Sequence, residues 1–153
     1  MDVYHLGGGH LARCVLHFRT SATKSAGWAG SGCKRRGEAK AAAFGVASVF
    51  ALPSFSENFG IAAVEALAAG VPSVLSGGIA IASDAGEAGA AFVTTTEPES
   101  IAKSITMLLD DAEARRRMSN LARAFAERAY SVSVMGRSLF DLYNDVVEEK
   151  KRR

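Results

Sequence analysis

Two carboxylates stand eight residues apart in the stretch Ser54-Phe55-Ser56-Glu57-Asn58-Phe59-Gly60-Ile61-Ala62-Ala63-Val64-Glu65-Ala66-Leu67-Ala68-Ala69-Gly70-Val71-Pro72. From Ile61 to Ala69 every residue but Glu65 is Ala, Val, Ile or Leu, a pattern that predicts a helix apolar, and therefore buried, on all sides. A carboxylate there loses hydration worth on the order of several kcal/mol, so Glu65 needs a hydrogen-bonding or ionic partner from elsewhere in the chain. Glu57 comes just before the helix, where the backbone N–H groups of Phe59, Gly60 and Ile61 are expected to lack intrahelical acceptors. Eight residues of helix cover about 12 Å along the axis and about 80° around it. That is the span from the ribose to the sugar ring in a nucleotide-diphosphate sugar. Between the two acids lie a helix N-terminus and a glycine, which together offer a diphosphate backbone donors, a positive dipole end and no obstructing side chain. Acid, amides, acid is thus a template for sugar, diphosphate, ribose.

The elements that must hold these groups can be read on either side. Glu38 to Val46 is rich in Ala and follows Gly37, as a short helix would. Val46 to Leu52 is a compact apolar run ended by Pro53, suited to a buried parallel strand. After the Glu57–Glu65 helix, Gly70 is placed for the C′ position, with Pro72 just beyond. Ser73 to Ser76 is the next strand and runs into Gly77-Gly78. Strand, helix, strand at this spacing is a βαβ unit, and its ligands belong outside the carboxyl ends of the strands, where Ser54 to Gly60 and Gly77-Gly78 both fall. Ala90 to Thr94 reads as a last short strand. Thr96-Glu97-Pro98-Glu99 has the Thr-x-x-Glu form of a capping box and opens a helix to about Leu109. A further helix starts at Asp110 with Glu113 and reaches about Arg128. A last one, Ser133 to Glu149, carries the stripe Val134, Leu139, Leu142, Tyr143 and Val146.

Leu52-Pro53-Ser54, Glu57-Asn58-Phe59-Gly60 and Glu65-Ala66-Leu67-Ala68-Ala69-Gly70-Val71-Pro72 together resemble the E-x7-E signature of the retaining GT-B glycosyltransferases called family 4, or group 1. The likeness runs from about Gly37 to about Val147. The resemblance implies an α/β fold: a Rossmann-like parallel sheet with flanking helices, the C-terminal half of a GT-B fold, incomplete at the N-terminus. It implies transfer of a sugar from a nucleotide-diphosphate donor to an acceptor hydroxyl with retention, and no metal or other cofactor. By the same resemblance Glu57 is the catalytic-site acid at the donor sugar, Asn58, Phe59, Gly60 and Ile61 present amides to sugar and diphosphate, and Glu65 grips the ribose hydroxyls. The Phe59 side chain itself is expected in the core. Gly77 and Gly78 match a turn that approaches the donor, although Gly78-Ile79-Ala80-Ile81 lacks the Pro and Glu that commonly follow it. Ser54 and Ser56 suit either a phosphate or a helix cap, and the cap is the expected use. The partners implied are a nucleotide-sugar donor and an acceptor saccharide or lipid-linked saccharide held by an N-terminal domain missing here. Weak self-association or a partner chain is a further expectation. The family's diphosphate-binding Arg and Lys come early in the same domain, and no Arg or Lys between residues 1 and 40 stands in a matching motif. Alone, the chain is expected to bind donor weakly and to transfer poorly. The stripe on the last helix, which the family packs on the N-terminal domain, is expected to be left partly uncovered.

At 153 residues the chain is one domain's worth. It holds no run of eighteen apolar residues and no secretory leader, and two cysteines make no disulfide framework, which suits a reducing cytoplasm, with a peripheral membrane contact as a variant. The net charge of +2 is uneven: residues 1 to 45 carry seven Lys or Arg against two acids, net +5, leaving −3 for the remainder. The division expected is an irregular basic segment, 1–36, and a nucleotide-sugar-binding domain, 37–153. Gly7-Gly8-Gly9 in that segment either is a remnant of the family's glycine-rich turn between strand and helix or is a flexible linker. Only Val15-Leu16-His17-Phe18 there suits a strand. His5, His10, Cys14, His17 and Cys33 match no zinc-finger spacing. Lys34-Arg35-Arg36 and Lys150-Lys151-Arg152-Arg153 could touch an anionic membrane or nucleic acid, but a solvated loop and a frayed helix end are the expected readings. The alternatives to a transferase are a non-catalytic nucleotide-binding module and an interaction fragment acting through its basic segment.

Overall fold

The computed structural model of the chain describes residues 2–7, 13–18 and 38–152. Its centre is the apolar run before Pro53. Strand β3 (Val49–Leu52) and strand β4 (Ser73–Ser76) are buried at every residue, because the sheet is covered on both faces. Phe50, Leu52 and Leu75 point to one face with Ala63, Ala66 and Leu67 of helix α2 (Ile61–Ala68), Phe44 of α1 (Glu38–Val46) and Phe125 of α5 (Ala112–Tyr130). Val49, Ala51 and Val74 point to the other, against Leu108 of α4 (Pro98–Asp110) and Met118 of α5. The Phe44 and Phe50 rings meet edge to face with centroids 5.9 Å apart, fixing α1 on the sheet.

The sheet order is β1-β2-β3-β4-β5. Strands β3, β4 and β5 (Ala91–Thr94) are parallel, in the register Phe50↔Ser73 and Val74↔Phe92. This is the α/β, Rossmann-like arrangement expected, with two corrections. First, β1 (Asp2–Gly7) and β2 (Arg13–Phe18) form an antiparallel pair within the stretch read as irregular, and β2 joins β3 antiparallel through Val15↔Ala51 and His17↔Val49. The sheet is mixed rather than wholly parallel. An unpaired edge of β3 would leave a row of N–H and C=O groups without partners, and β2 supplies them. Second, the next described element after Gly7 is strand β2, where the family's glycine-rich motif opens a helix. His10, Cys33 and Lys34-Arg35-Arg36 lie outside the described residues.

Helix α3 (Ala82–Glu87) was not expected. It spans 6 residues with Gly86 inside it, too short to show an apolar period. At α4 the capping box does not form. Pro98 takes the first helical turn, which makes Glu97 the N-cap, and no side chain caps it. The cap of α5 is Asp111, whose Oδ1 accepts from the Ala114 N–H at 2.8 Å. Helix α6 (Val132–Arg152) has no buried residue: Leu139, Leu142, Tyr143 and Val146 are all more than half exposed, as anticipated for the uncovered stripe.

Candidate functional site

The ends of β3 and β4 are tied together by serines. The Ser76 hydroxyl donates to the Ser54 carbonyl at 2.5 Å and accepts from the Ser54 N–H at 2.8 Å, while Ser54 Oγ donates to the Ser56 carbonyl at 3.1 Å. Both serines are 1% exposed. The Ser54 hydroxyl is therefore committed within the turn that leads to Glu57 rather than to a helix cap. Ser76, which the sequence offered only as a strand residue, is the centre of this latch.

Past the latch the two chains pair once more. The Glu57 N–H donates to the Gly78 carbonyl at 3.0 Å and the Ala80 N–H to the Glu57 carbonyl at 3.2 Å, an isolated parallel bridge between Glu57 and Ile79. The loop after β3 and the Gly77-Gly78 turn after β4 are thus neighbours, both outside the carboxyl ends of the strands. Gly78 has to be glycine, since a Cβ there would overlap the Phe55 carbonyl. Gly77 has open space around it, and its N–H is committed to the Thr94 carbonyl at 3.1 Å.

The helix start differs from the expectation. Gly60 is the N-cap of α2, in the left-handed region at φ 75°, and a Cβ on it would come within 2.9 Å of Ile79 Cγ2. Its carbonyl accepts from the Ala63 N–H at 2.8 Å and the Val64 N–H at 3.1 Å. The N–H groups left without an intrahelical acceptor at the first turn are then those of Ile61 and Ala62, and no side chain caps them. Ala62 was not anticipated among these donors. Because the chain turns at Gly60, Glu57 lies off the helix, and the 12 Å helical span does not apply to it. Its Cγ lies 3.7 Å from the point where a Gly60 Cβ would be, beside the helix start, and its carboxylate has no ion pair among the described residues. Asn58 is exposed. Phe59 is 39% exposed and packs edge-on against Tyr130 at 5.5 Å, with Tyr130 in turn against Phe125 at 5.6 Å. Burial pushes the Tyr130 hydroxyl above its ordinary 10.0, and the Asp84 carboxylate pushes it further the same way.

Helix α2 is not buried all round. Ala63, Ala66 and Leu67 face the core, while Ile61 is 64% exposed and Ala68 is open, so Ile61, Glu65 and Ala68 form a stripe to solvent. All-apolar composition hid this face because alanine is equally at home on either side of a helix. Glu65 has the partner its position demanded: Lys40 of α1 forms an ion pair with its Oε2. The Lys40 ammonium also lies 5.9 Å from the centroid of the Phe44 ring. With side chains 24% and 41% exposed, the pair contributes about 0–1 kcal/mol to stability after solvent screening. A signal for it was present: Lys40 is the sole basic residue between Gly37 and Ala102.

Among the described residues, no helix is long and apolar enough to cross a membrane. Residues 34–125 match the family model described as "Glycosyl transferases group 1". The chain is similar to the D-inositol 3-phosphate glycosyltransferase of Corynebacterium glutamicum strain R, 39% identical over 108 residues that cover 69% of this chain and 25% of that protein. It is also similar to the D-inositol 3-phosphate glycosyltransferase of Streptomyces griseus, 34% identical over 112 residues covering 72% of this chain and 23% of the relative. The chain thus spans about a quarter of the length of the curated relatives it matches. Among solved structures, the sucrose-phosphate synthase of Thermosynechococcus elongatus superposes with a TM-score of 0.68 at 19% identity, over 76% of this chain and 30% of that one. With the family model matching more than half its length, on a Rossmann-like sheet whose strand ends carry the paired turns, the chain belongs to the group 1 glycosyl transferases.

Proposed function

We propose that this chain is the donor-binding part of a retaining glycosyltransferase, which moves a sugar from a nucleoside-diphosphate donor to an acceptor hydroxyl. The observation that carries the reading is the bridge of Glu57 to the Gly78 turn beside the uncapped first turn of α2, with Glu65 further along the same helix. In this reading the Ile61 and Ala62 N–H groups and the positive end of α2 receive the diphosphate, and Asn58, Phe59 and Gly60 supply the backbone around the sugar. Glu57, partly buried and with no ion pair among the described residues, accepts from the sugar hydroxyls near the anomeric carbon, and Glu65 accepts from the ribose. Gly77 and Gly78 keep side chains out of the donor's path. As the bond from the anomeric carbon to the diphosphate oxygen breaks, negative charge grows on the leaving nucleoside diphosphate. Fixed N–H donors that need no reorganisation lower that barrier most. The reading assigns no resident cofactor to this role. The acceptor, a saccharide or lipid-linked saccharide, is assigned to a further domain or partner chain, and the reaction to the cytoplasm.

Calorimetric titration of the chain with UDP, GDP and ADP, beside its Glu65→Ala variant, tests the reading. One nucleotide is expected to bind and to lose about tenfold or more in affinity in the variant, as the loss of a charged hydrogen-bond acceptor predicts. Equal binding by both proteins, or none by the parent chain, would sink it.

A further inference from the structure

The region that forms the proposed site is almost without positive charge: from Gly37 to Ala102 only Lys40 carries one. The fold brings that residue from α1 across to α2 and sets it on Glu65. The contact is one-sided. Glu65 Oε2 is buried and takes the ammonium, with no hydrogen bond of its own, while the side chain as a whole remains 41% exposed. The ion pair engages Oε2, which leaves Oε1 as the carboxylate oxygen that a ligand's donor would use. Lys40 is itself confined, with a side chain 24% exposed and an ammonium 5.9 Å from the Phe44 ring centroid, and Phe44 is anchored in the core at 4% exposure.

We infer that Lys40 is a positioning residue for nucleotide recognition: it holds Glu65 by Oε2 so that Oε1 is presented, already oriented, to a ribose hydroxyl. The inference rests on the donor-binding reading above and names the residue that makes its ribose grip selective. Two physical effects act together. Fixing the carboxylate before binding removes the ordering cost that a free, rotatable glutamate would add on binding. Placing a cation on it also removes the repulsion that a bare carboxylate on this face would exert on an incoming diphosphate. A nucleoside diphosphate bearing ribose is the ligand class this pair fits, since the neutralised acid tolerates the phosphates and the oriented oxygen requires a hydroxyl.

The test is a comparison of ribonucleoside diphosphates with their 2′-deoxy and 3′-deoxy counterparts, by calorimetry, on the full chain and on Lys40→Met, Lys40→Gln and Glu65→Gln. Thermal melting is recorded for each, and the glutamine at position 40 serves where the methionine variant is poorly folded. The parent chain is expected to favour the ribo form over at least one deoxy form by about tenfold, and both Lys40 variants to cut that ratio to about threefold or less with little change in melting. If the Lys40 variants bind more tightly or keep the full ratio while Glu65→Gln loses it, the donor reading stands and the role of Lys40 is overturned. If Glu65→Gln discriminates like the parent chain, the ribose assignment fails beneath it, a different pattern of results.

Discussion

Ser76 and Gly78 show how single residues hold the strand ends in place. Ser76→Ala removes the acceptor of the buried Ser54 N–H and a donor to the Ser54 carbonyl, and is expected to cost about 1–3 kcal/mol in denaturant unfolding because these groups stay dry without a partner. Gly78→Ala puts a Cβ onto the Phe55 carbonyl, so the Glu57–Ile79 bridge must open. The expected result is a loss of about 1–3 kcal/mol together with a loss of nucleotide affinity, whereas Gly77→Ala, with open space around it, should leave both within about 0.5 kcal/mol. Unfolding curves and titrations of the two neighbouring variants make the comparison. Glu65 was legible as an acid needing a partner, since isolated charge in an apolar run carries that demand wherever the helix sits. Which cation answers it was not, because Lys40 and Glu65 are adjacent only after α1 and α2 are laid side by side on the sheet.

Among the elements, α2 and α6 respond differently to the same chemistry. α2 closes at Gly70 with the Val71 N–H on the Ala66 carbonyl and the Gly70 N–H on the Leu67 carbonyl, both at 2.9 Å, the C-terminal motif its Gly-Val-Pro sequence foretold. Leu67 is fully buried, and Leu67→Ala should cost about 2–5 kcal/mol. Leu142→Ala on α6, where the leucine is 57% exposed, should cost less than about 0.5 kcal/mol in chemical denaturation, although both leucines sit in equally plausible apolar stripes. Tyr130, at the end of α5, adds a pH signature. Its hydroxyl is raised by burial, then by Asp84, so the native state favours the neutral form. The sign follows: this contribution is complete below the ordinary 10.0 and is lost as pH rises through the higher native value. Tyr130→Phe should therefore flatten the alkaline fall in stability, read from melting curves taken across that range.

Across the whole molecule, local order and long-range pairing divide what was readable. Helix α1 and strand β4 fall on the residues expected, Glu38–Val46 and Ser73–Ser76, and the β3-α2-β4 unit, the turns beyond its strand ends and the resemblance to the group 1 family were all present in one dimension. Periodicity, breakers and turn glycines act over a few residues, so sequence carries them directly. Composition could not reveal that β2 pairs with β3, since the run Val15-Leu16-His17-Phe18 suits a strand but does not say which edge it meets. Nor could it reveal that α2 keeps an open stripe, that Gly60 turns the chain out of the helix before Glu57, or that Ser76 rather than a cap anchors Ser54. The amino-acid order settled which groups exist and which local elements carry them. Their partners came with the packed sheet, because an ion pair or a strand pairing between distant segments is set by which surfaces burial forces into contact.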